Sequence, residues 1–254
     1  MRQPLSAVLI TLNEASQLPA TLAALQFCDE IVVVDSGSSD DTVALAEAAG
    51  ARVIHQPWLG FAAQKQFATE QASHDWVLSI DADERVSDTL RASIELVLQQ
   101  PQHAAYQMPR CNRFMGRWLR HGEGYPDRIP RLFHRQQARW SQDPVHEHVV
   151  TEGSMGLLKG DLLHESADDL HSYLAKQNRY TSLQAERLAA RGKRVSGLKL
   201  WLSPLLRFFK MYVLRLGMLD GVPGLVHISI GCFNSFIKYA KARELLRRQQ
   251  EKRP

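Results

Sequence analysis

Residues 31–42, IVVVDSGSSDDT, and residues 76–84, WVLSIDADE, decide the fold of this chain. Each begins with an uninterrupted apolar run and then turns polar, and a helical pattern follows both. Continuous apolar strands between helices indicate a parallel sheet that is covered on both faces. Ligands of such sheets bind at the carboxyl ends of the strands, which is where the polar residues stand here.

The same alternation extends over the first hundred residues. Strands are predicted at residues 5–11, 31–35, 52–55 and 76–80, and helices at 15–25, 42–49, 61–72 and 88–99. Residues 104–150 change to short β-like runs, and a polar helix is predicted for 168–191. The predicted fold class is therefore α/β, with a Rossmann-like, mostly parallel sheet flanked by helices.

Length and composition narrow the class of protein. A chain of 254 residues that is 44% hydrophobic and 23% charged is neither disordered nor collagen-like, and it can bury a sizeable core. Its three cysteines, Cys28, Cys111 and Cys232, are scattered and form neither a disulfide framework nor a metal-binding spacing. The apolar run at the N-terminus is too short for a signal peptide, so we expect a cytoplasmic protein.

Charge is distributed unevenly along the chain. Residues 187–254 carry 15 basic and 3 acidic side chains, whereas the rest of the chain carries 16 and 24. This basic region contains apolar stretches at 198–209 and 211–239, and its longest run without charge, 221–237, is shorter than the roughly 20 residues that span a bilayer. We expect amphipathic helices that lie on an anionic membrane, the alternative being helices that pack on the domain. No recognised nucleic-acid motif accompanies the basic residues, so no nucleic-acid partner is expected.

The strongest chemical signal is Asp81-Ala82-Asp83, directly after the strand WVLSI. Two carboxylates at this spacing in an extended turn point to the same side and can hold Mg²⁺ or Mn²⁺, usually together with substrate phosphates. The alternative is a pair of acids that cap the next helix.

Two further strand ends support a nucleotide site. Asp35 opens a Gly/Ser turn whose backbone amides favour anions, and its carboxylate can accept hydrogen bonds from a base or ribose. Thr11, Asn13 and Glu14 follow the first strand. Neither GxGxxG nor GxxxxGK[ST] occurs, which excludes the dinucleotide fingerprint and the P-loop.

TLNE, VVVDSGSSDDT and DADE, in this order and at strand ends, resemble family 2 glycosyltransferases of the GT-A fold over residues 5–165. The segments GFAAQKQFA, DWVLSIDADE, RIPRLFHR, PVHEHV and the apolar tail with LDG resemble, more narrowly, the lipopolysaccharide core β-1,4-glucosyltransferases. The resemblance implies an inverting enzyme that moves a hexose, glucose above all, from a UDP-sugar to the first heptose of the inner core.

For the donor, the resemblance implies that Asp35 binds uracil, that Asp81 faces the ribose and the metal, and that Asp83 is the principal metal ligand. Thr11, Asn13 and Glu14 would line the nucleotide pocket. Lys65 would approach the sugar or diphosphate, unless it is a surface lysine. The cofactor would be Mg²⁺ or Mn²⁺.

For the acceptor, inversion by single displacement needs a carboxylate that takes the hydroxyl proton. Glu147 is the preferred candidate because VHE matches the family, and Asp143 is the second. His164 is a candidate third metal ligand. Eight arginines and no lysine lie between residues 110 and 139; Arg131 is assigned to the donor diphosphate, and Arg113, Arg117 and Arg120 to a phosphorylated acceptor.

These interpretations predict a catalytic domain at 1–165, with a nucleotide-sugar half at 1–103 and an acceptor half at 104–165. Residues 166–254 would form a helical, membrane-associating region at the cytoplasmic face of the inner membrane, attached peripherally. Two alternatives stay open: transfer from a UDP-sugar to a different lipid-linked or polysaccharide acceptor, and a non-catalytic membrane-attached sugar-nucleotide binder. The sequence leaves the oligomeric state open.

Overall fold

A computed structural model describes residues 2–142, 147–165, 169–192 and 196–251. The strands are β1 Leu5–Thr11, β2 Glu30–Asp35, β3 Arg52–His55, β4 Trp76–Ser79, β5 Glu84–Val86, β6 Ala105–Phe114, β7 Arg117–Trp118, β8 Asp127–His134, β9 Ala138–Trp140, β10 Val149–Thr151, β11 Met155–Leu157 and β12 Leu162–His164. The helices are α1 Leu18–Ala24, α2 Thr42–Ala48, α3 Phe61–Gln71, α4 Asp88–Val97, α5 Leu170–Ala190, α6 Gly197–Phe208 and α7 Gly221–Glu251.

The main sheet has the strand order β3-β2-β1-β4-β8-β6-β12-β5. Its first four strands are parallel, so β1, β2 and β3 end at one edge, with Thr11 beside Asp35 and Asp35 beside His55. From β8 onward the pairing is antiparallel through β4, β8 and β6, which makes the sheet mixed. The predicted parallel sheet is confirmed for β1 to β4, and the short β-like runs supply the antiparallel extension.

Alternating side chains of the strands feed two cores, one on each face of the sheet. Leu5, Ala7 and Leu9 of β1 pack in one cluster, to which α1, α2 and α4 contribute buried residues. Val8 packs in the other cluster, which includes Val32, Val34 and Val77 and is closed by Ala68 of α3. Because both faces are covered, consecutive strand residues are buried, as in the apolar runs IVVV and WVL that precede Asp35 and Ser79.

The predicted elements of the first hundred residues are confirmed, with shifts at their ends. The first helix starts at Leu18 instead of residue 15. Pro19 accounts for the shift, because it lacks an N–H and is accommodated in the first turn of a helix. The strand β5, which starts at the last residue of DADE, was not predicted; it pairs antiparallel with β12 and brings His164 opposite Glu84.

The structure divides into two compact units: Met1–Cys111 with Pro126–Glu165, and Asn112–Tyr125 with Ser166–Pro254. The second unit therefore includes residues 112–125, which the sequence-based division assigns to the acceptor half. In this unit Glu123 forms an ion pair with Arg207 of α6. Asp220 is buried and accepts hydrogen bonds from the backbone N–H of His121 at 2.8 Å and of Arg120. These contacts tie the 112–125 segment to the helices.

Helix α6 and the residues that follow it leave many large apolar side chains exposed. Trp201 and Leu198 are each 71% exposed, and Val222 is 67% exposed. Among the described residues, no helix by itself has the length and apolar composition to cross a membrane. The segments Gly197–Leu214 and Gly217–Gln249, bent by 74°, meet that criterion only as a pair.

Candidate active site

The candidate site lies at the carboxyl edge of the parallel strands, in the first unit. Asp35 at the end of β2 is buried, and its Oδ1 accepts the backbone N–H groups of Gly37 at 2.9 Å and Ser38 at 2.8 Å. Its Oδ2 accepts the hydroxyls of Ser38 and Thr11, the latter at 3.0 Å. Burial by itself would raise the pKa of Asp35, but these four hydrogen bonds outweigh it and lower the pKa.

Asn13 and Glu14 lie at the same edge of the sheet, next to the turn that follows Asp35. Asn13 adopts a left-handed backbone with φ of 57°, and its side-chain oxygen accepts the backbone N–H of Ser39 at 2.8 Å. The backbone N–H of Glu14 donates to the hydroxyl of Thr42 at 2.8 Å. Burial raises the pKa of Glu14, and the charges of Asp83, Asp40 and Asp81 raise it further. Thr11, Asn13 and Glu14 therefore lie together at this edge, and their role in lining a nucleotide pocket stays a prediction.

Asp81 lies between two buried cations. Its Oδ1 is 2.9 Å from Nζ of Lys65, and its Oδ2 accepts a hydrogen bond of 2.5 Å from Nη2 of Arg131. Burial by itself would raise the pKa of Asp81, but the charges of Arg131 and Lys65 hold it well below its usual range. Arg131 in turn has its pKa raised by Asp81 and Glu84, against the effect of burial. Asp81 is thus ionised and held in place from both sides.

The two carboxylates of the DAD motif have different partners. Asp83 lies toward β12, where its Oδ2 is 3.1 Å from Nε2 of His164. The backbone N–H of Glu165 also donates to the carbonyl of Asp83 at 2.9 Å. Within the described ranges, no group of three or more His, Cys, Asp or Glu side chains is arranged as a metal site. Asp83 and His164 supply one oxygen and one nitrogen donor, which leaves positions for diphosphate oxygens and water.

Glu147 is linked to Asp81 through the ammonium of Lys65. Nζ of Lys65 is 3.7 Å from Oε1 of Glu147. Lys65 also lies over the ring of Trp140, 5.0 Å from its centroid. Asp143, the other candidate base, falls outside the residues that the structure describes.

The sequence does not single out Glu84, whose carboxylate binds Arg131 and thereby completes the set of charged side chains around Asp81. Its side chain has no solvent exposure and accepts a hydrogen bond of 2.9 Å from Nη2 of Arg131 and one of 3.0 Å from the backbone N–H of Asp81. Nη1 of Arg110 lies 3.6 Å away. The available signal was the position of Glu84 as the last residue of DADE, three residues after Asp81.

The other arginines assigned to the acceptor lie in the second compact unit. There, Nη2 of Arg117 donates to the carbonyl of Leu219 at 2.9 Å, and the guanidinium of Arg113 lies over the ring of Trp118. The backbone of Arg120 is bound to Asp220. Their assignment to a phosphorylated acceptor stays a prediction.

The mixed sheet with Asp35 and Asp81 at its carboxyl edge is that of a GT-A transferase, a class that the match to a family of known proteins establishes. The profile of "Glycosyl transferase family 2" matches residues 6–162. The lipopolysaccharide core biosynthesis glycosyltransferase LpsC of Rhizobium meliloti is 35% identical over 94% of this chain and 91% of its own length. An uncharacterized glycosyltransferase of Rickettsia felis is 34% identical over 96% and 91%. The chain belongs to glycosyl transferase family 2.

Solved structures are similar at lower levels. Glucosyl-3-phosphoglycerate synthase of Mycobacterium tuberculosis, crystallised with Mn²⁺, UDP and glucosyl-3-phosphoglycerate, is 26% identical, but the match covers 44% of each chain with a TM-score of 0.37. S. aureus TarS 1–349 is 14% identical over 98% of this chain and 91% of that one, with a TM-score of 0.49. At these TM-scores the superpositions define no residue correspondences.

Asp35→Asn tests the lowered pKa of Asp35. A carboxyl with a depressed pKa contributes stability above its ordinary value of 3.8, and this contribution is lost as pH falls through the folded-state pKa. We expect Asp35→Asn to lower the free energy of unfolding by about 1–3 kcal/mol at pH 7, because charge-assisted hydrogen bonds are lost. Urea titrations should show a constant difference from pH 7 to about 5 and a smaller one below 3.8. A difference that grows on acidification would contradict the assignment.

Proposed function

We propose that this glycosyltransferase is an inverting, metal-dependent hexosyltransferase that moves glucose from UDP-glucose to the inner-core heptose of lipopolysaccharide. The observation that carries the proposal is the position of the Lys65 ammonium. It lies between Asp81 of the candidate donor edge and Glu147, the candidate base. The candidate donor edge and the candidate proton acceptor are thus adjacent in one unit. The name of the Rhizobium relative supports the acceptor class.

For the donor, the proposal assigns uracil to Asp35 and the ribose to Asp81, with Thr11, Asn13 and Glu14 around the nucleotide. The carboxylate of Asp35 is ionised and held by four hydrogen bonds that use its four acceptor sites, so binding of uracil would exchange one hydroxyl donor, that of Ser38 or Thr11, for an N–H of the base. Arg131 is engaged by Asp81 and Glu84. Its contribution to the diphosphate is therefore to place Asp81 and to add positive charge at this edge.

The residues that would hold a divalent metal are Asp83 and His164, with Asp81 on the neighbouring side. The side chains of Asp83 and His164 are both partly exposed, so oxygens of the donor can reach them. When bound, Mg²⁺ or Mn²⁺ would neutralise charge that develops on the UDP leaving group. Glu14 adds a further carboxylate near Asp83. Burial and the negative charge of Asp83 both raise the pKa of Glu14.

The chemical step assigns the proton to Glu147. Its carboxylate takes the proton of the acceptor hydroxyl, whose oxygen forms the new bond to the anomeric carbon. The bond between that carbon and the diphosphate oxygen breaks, and UDP leaves with the electron pair. Attack from the side opposite UDP inverts the anomeric configuration.

Glu147→Gln tests the base, because glutamine keeps the size of the side chain but cannot take the proton. We expect kcat to fall by about 10²–10⁴-fold while UDP binding, measured by calorimetry, survives. Glu152→Gln, an exposed carboxylate of the same unit, is the matched control and should keep full activity. Full activity of Glu147→Gln together with an inactive Asp143→Asn would transfer the role to Asp143.

The assay that applies these variants also separates the alternatives. Purified protein is given a panel of UDP-sugars with and without lipopolysaccharide core that lacks the inner-core glucose, and the linkage of the product is determined. We expect acceptor-dependent turnover of UDP-glucose that EDTA abolishes and Mn²⁺ or Mg²⁺ restores. Binding of UDP-glucose without turnover on any acceptor would support a non-catalytic binder, and turnover in EDTA would refute the metal.

We further infer that the second unit attaches the enzyme to an anionic membrane, peripherally and on the cytoplasmic face. Clusters of exposed large apolar side chains mark interaction surfaces, membranes among them. Four of the exposed apolar side chains lie on α6, where Leu198, Trp201, Leu205 and Leu206 are each more than half exposed. The same region carries the excess of basic residues, and each contributes about 1 kcal/mol near an anionic surface.

Vesicle flotation tests this attachment. The full-length protein should float with phosphatidylglycerol-containing vesicles at low salt and less at high salt, because salt screens the basic residues. Trp201→Ser with Leu205→Ser should reduce flotation, whereas Leu96→Ser, which removes an equally exposed leucine of the first unit, should not. Wild-type protein that stays unbound at low salt would refute the attachment, and a protease-protected segment that resists salt and alkali would indicate a true span instead.

A further inference from the structure

Lys65 contacts both Asp81 of the candidate donor edge and Glu147, the candidate base. It lies on α3, is only 5% exposed, and places its ammonium 2.9 Å from Asp81 and 3.7 Å from Glu147. The face of the Trp140 ring covers the ammonium at 5.0 Å. A buried ammonium needs anionic partners, and these two carboxylates supply them.

The neighbours of Lys65 on α3 hold the helix in place. Gln64 has no solvent exposure and donates hydrogen bonds of 3.1 Å to the hydroxyl of Ser36 and to the carbonyl of Gln56. Gln66 accepts the backbone N–H of Trp140 at 3.0 Å. The helix is thus bound to the Asp35 turn on one side and to β9 on the other. Lys65 therefore starts from a fixed backbone, which is what a precise placement of its ammonium requires.

The two carboxylates depend on Lys65 to different degrees. Asp81 has a second cation, because Arg131 binds its other oxygen at 2.5 Å and is itself anchored by Glu84. In the described part of the chain, Lys65 is the cation found within 4 Å of Glu147. Loss of the ammonium therefore leaves Asp81 held by Arg131, while Glu147 loses the group that orients it.

We propose that Lys65 is a positioning residue for acceptor activation. It orients the carboxylate of Glu147 toward the donor edge and does not bind the donor diphosphate. This inference rests on the proposed role of Glu147 as base. It differs from the expectation that Lys65 approaches the sugar or diphosphate. Its consequence is that substitution of Lys65 acts on the chemical step through Glu147 and leaves donor binding nearly intact.

The test is a double-mutant cycle of Lys65→Met and Glu147→Gln in the full-length protein, with Lys65→Arg as the conservative variant and Lys159→Met as the exposed-lysine control. Turnover is measured with UDP-glucose and core acceptor, and UDP binding by calorimetry. We expect Lys65→Met to lower kcat by about 10–100-fold, as misplacement of a catalytic group does. The Kd for UDP should change by less than about threefold, Lys65→Arg should recover part of kcat, and Lys159→Met should behave as wild type. The double variant should be no slower than Glu147→Gln alone, because both changes disable one unit.

Three outcomes would overturn the role of Lys65: additive losses in the double variant, a weakened Kd for UDP that accounts for the whole effect, or an unchanged kcat. If Lys65→Met fails to fold, Lys65→Arg paired with Glu147→Gln completes the cycle with the charge retained. Full activity of Glu147→Gln alone would instead refute the proposed base, so the two failures are distinguishable.

Discussion

The site depends on one buried interaction, the guanidinium of Arg131 between Glu84 and Asp81. Nη2 of Arg131 reaches both carboxylates, at 2.9 Å and 2.5 Å, and the arginine and Glu84 are almost entirely buried. Buried charges are tolerated only when they are paired and hydrogen-bonded, and removal of one partner leaves an uncompensated charge. The sheet makes the pairing possible, since β8 places Arg131 beside the end of β4.

The rest of the candidate site continues from this interaction as a series of side chains of alternating charge. Glu84, Arg131, Asp81, Lys65 and Glu147 form a continuous series of anion and cation within one unit. Asp83 lies outside this series, paired with His164, which leaves it accessible for a different partner. The two carboxylates of the DAD motif are similarly exposed but have different partners, two cations for Asp81 and His164 for Asp83, which the spacing of two aspartates does not reveal.

The sequence predicts the part of the fold that local pattern controls. IVVVD and WVLSI identify buried parallel strands because both faces of the sheet are covered, and the polar residues after them identify the edge at which Thr11, Asp35 and Asp81 are found. The pairing of Glu84 with Arg131 and the strand β5 could not be predicted, because Arg131 and β12 lie 47 and about 78 residues away in the chain. The grouping of residues 112–125 with the C-terminal helices likewise depends on contacts such as Glu123 with Arg207, which no local pattern encodes.

The most direct test of this account is the free energy of unfolding of Arg131→Met, measured by urea titration together with UDP-glucose turnover. We expect a loss of stability of about 3–5 kcal/mol, because Glu84 is left buried without its closest cation, and a loss of turnover in the protein that remains folded. Removal of both charges in Glu84→Gln with Arg131→Met should recover stability but not turnover, since Asp81 would still lack its support. Unchanged stability and turnover in Arg131→Met would contradict the account.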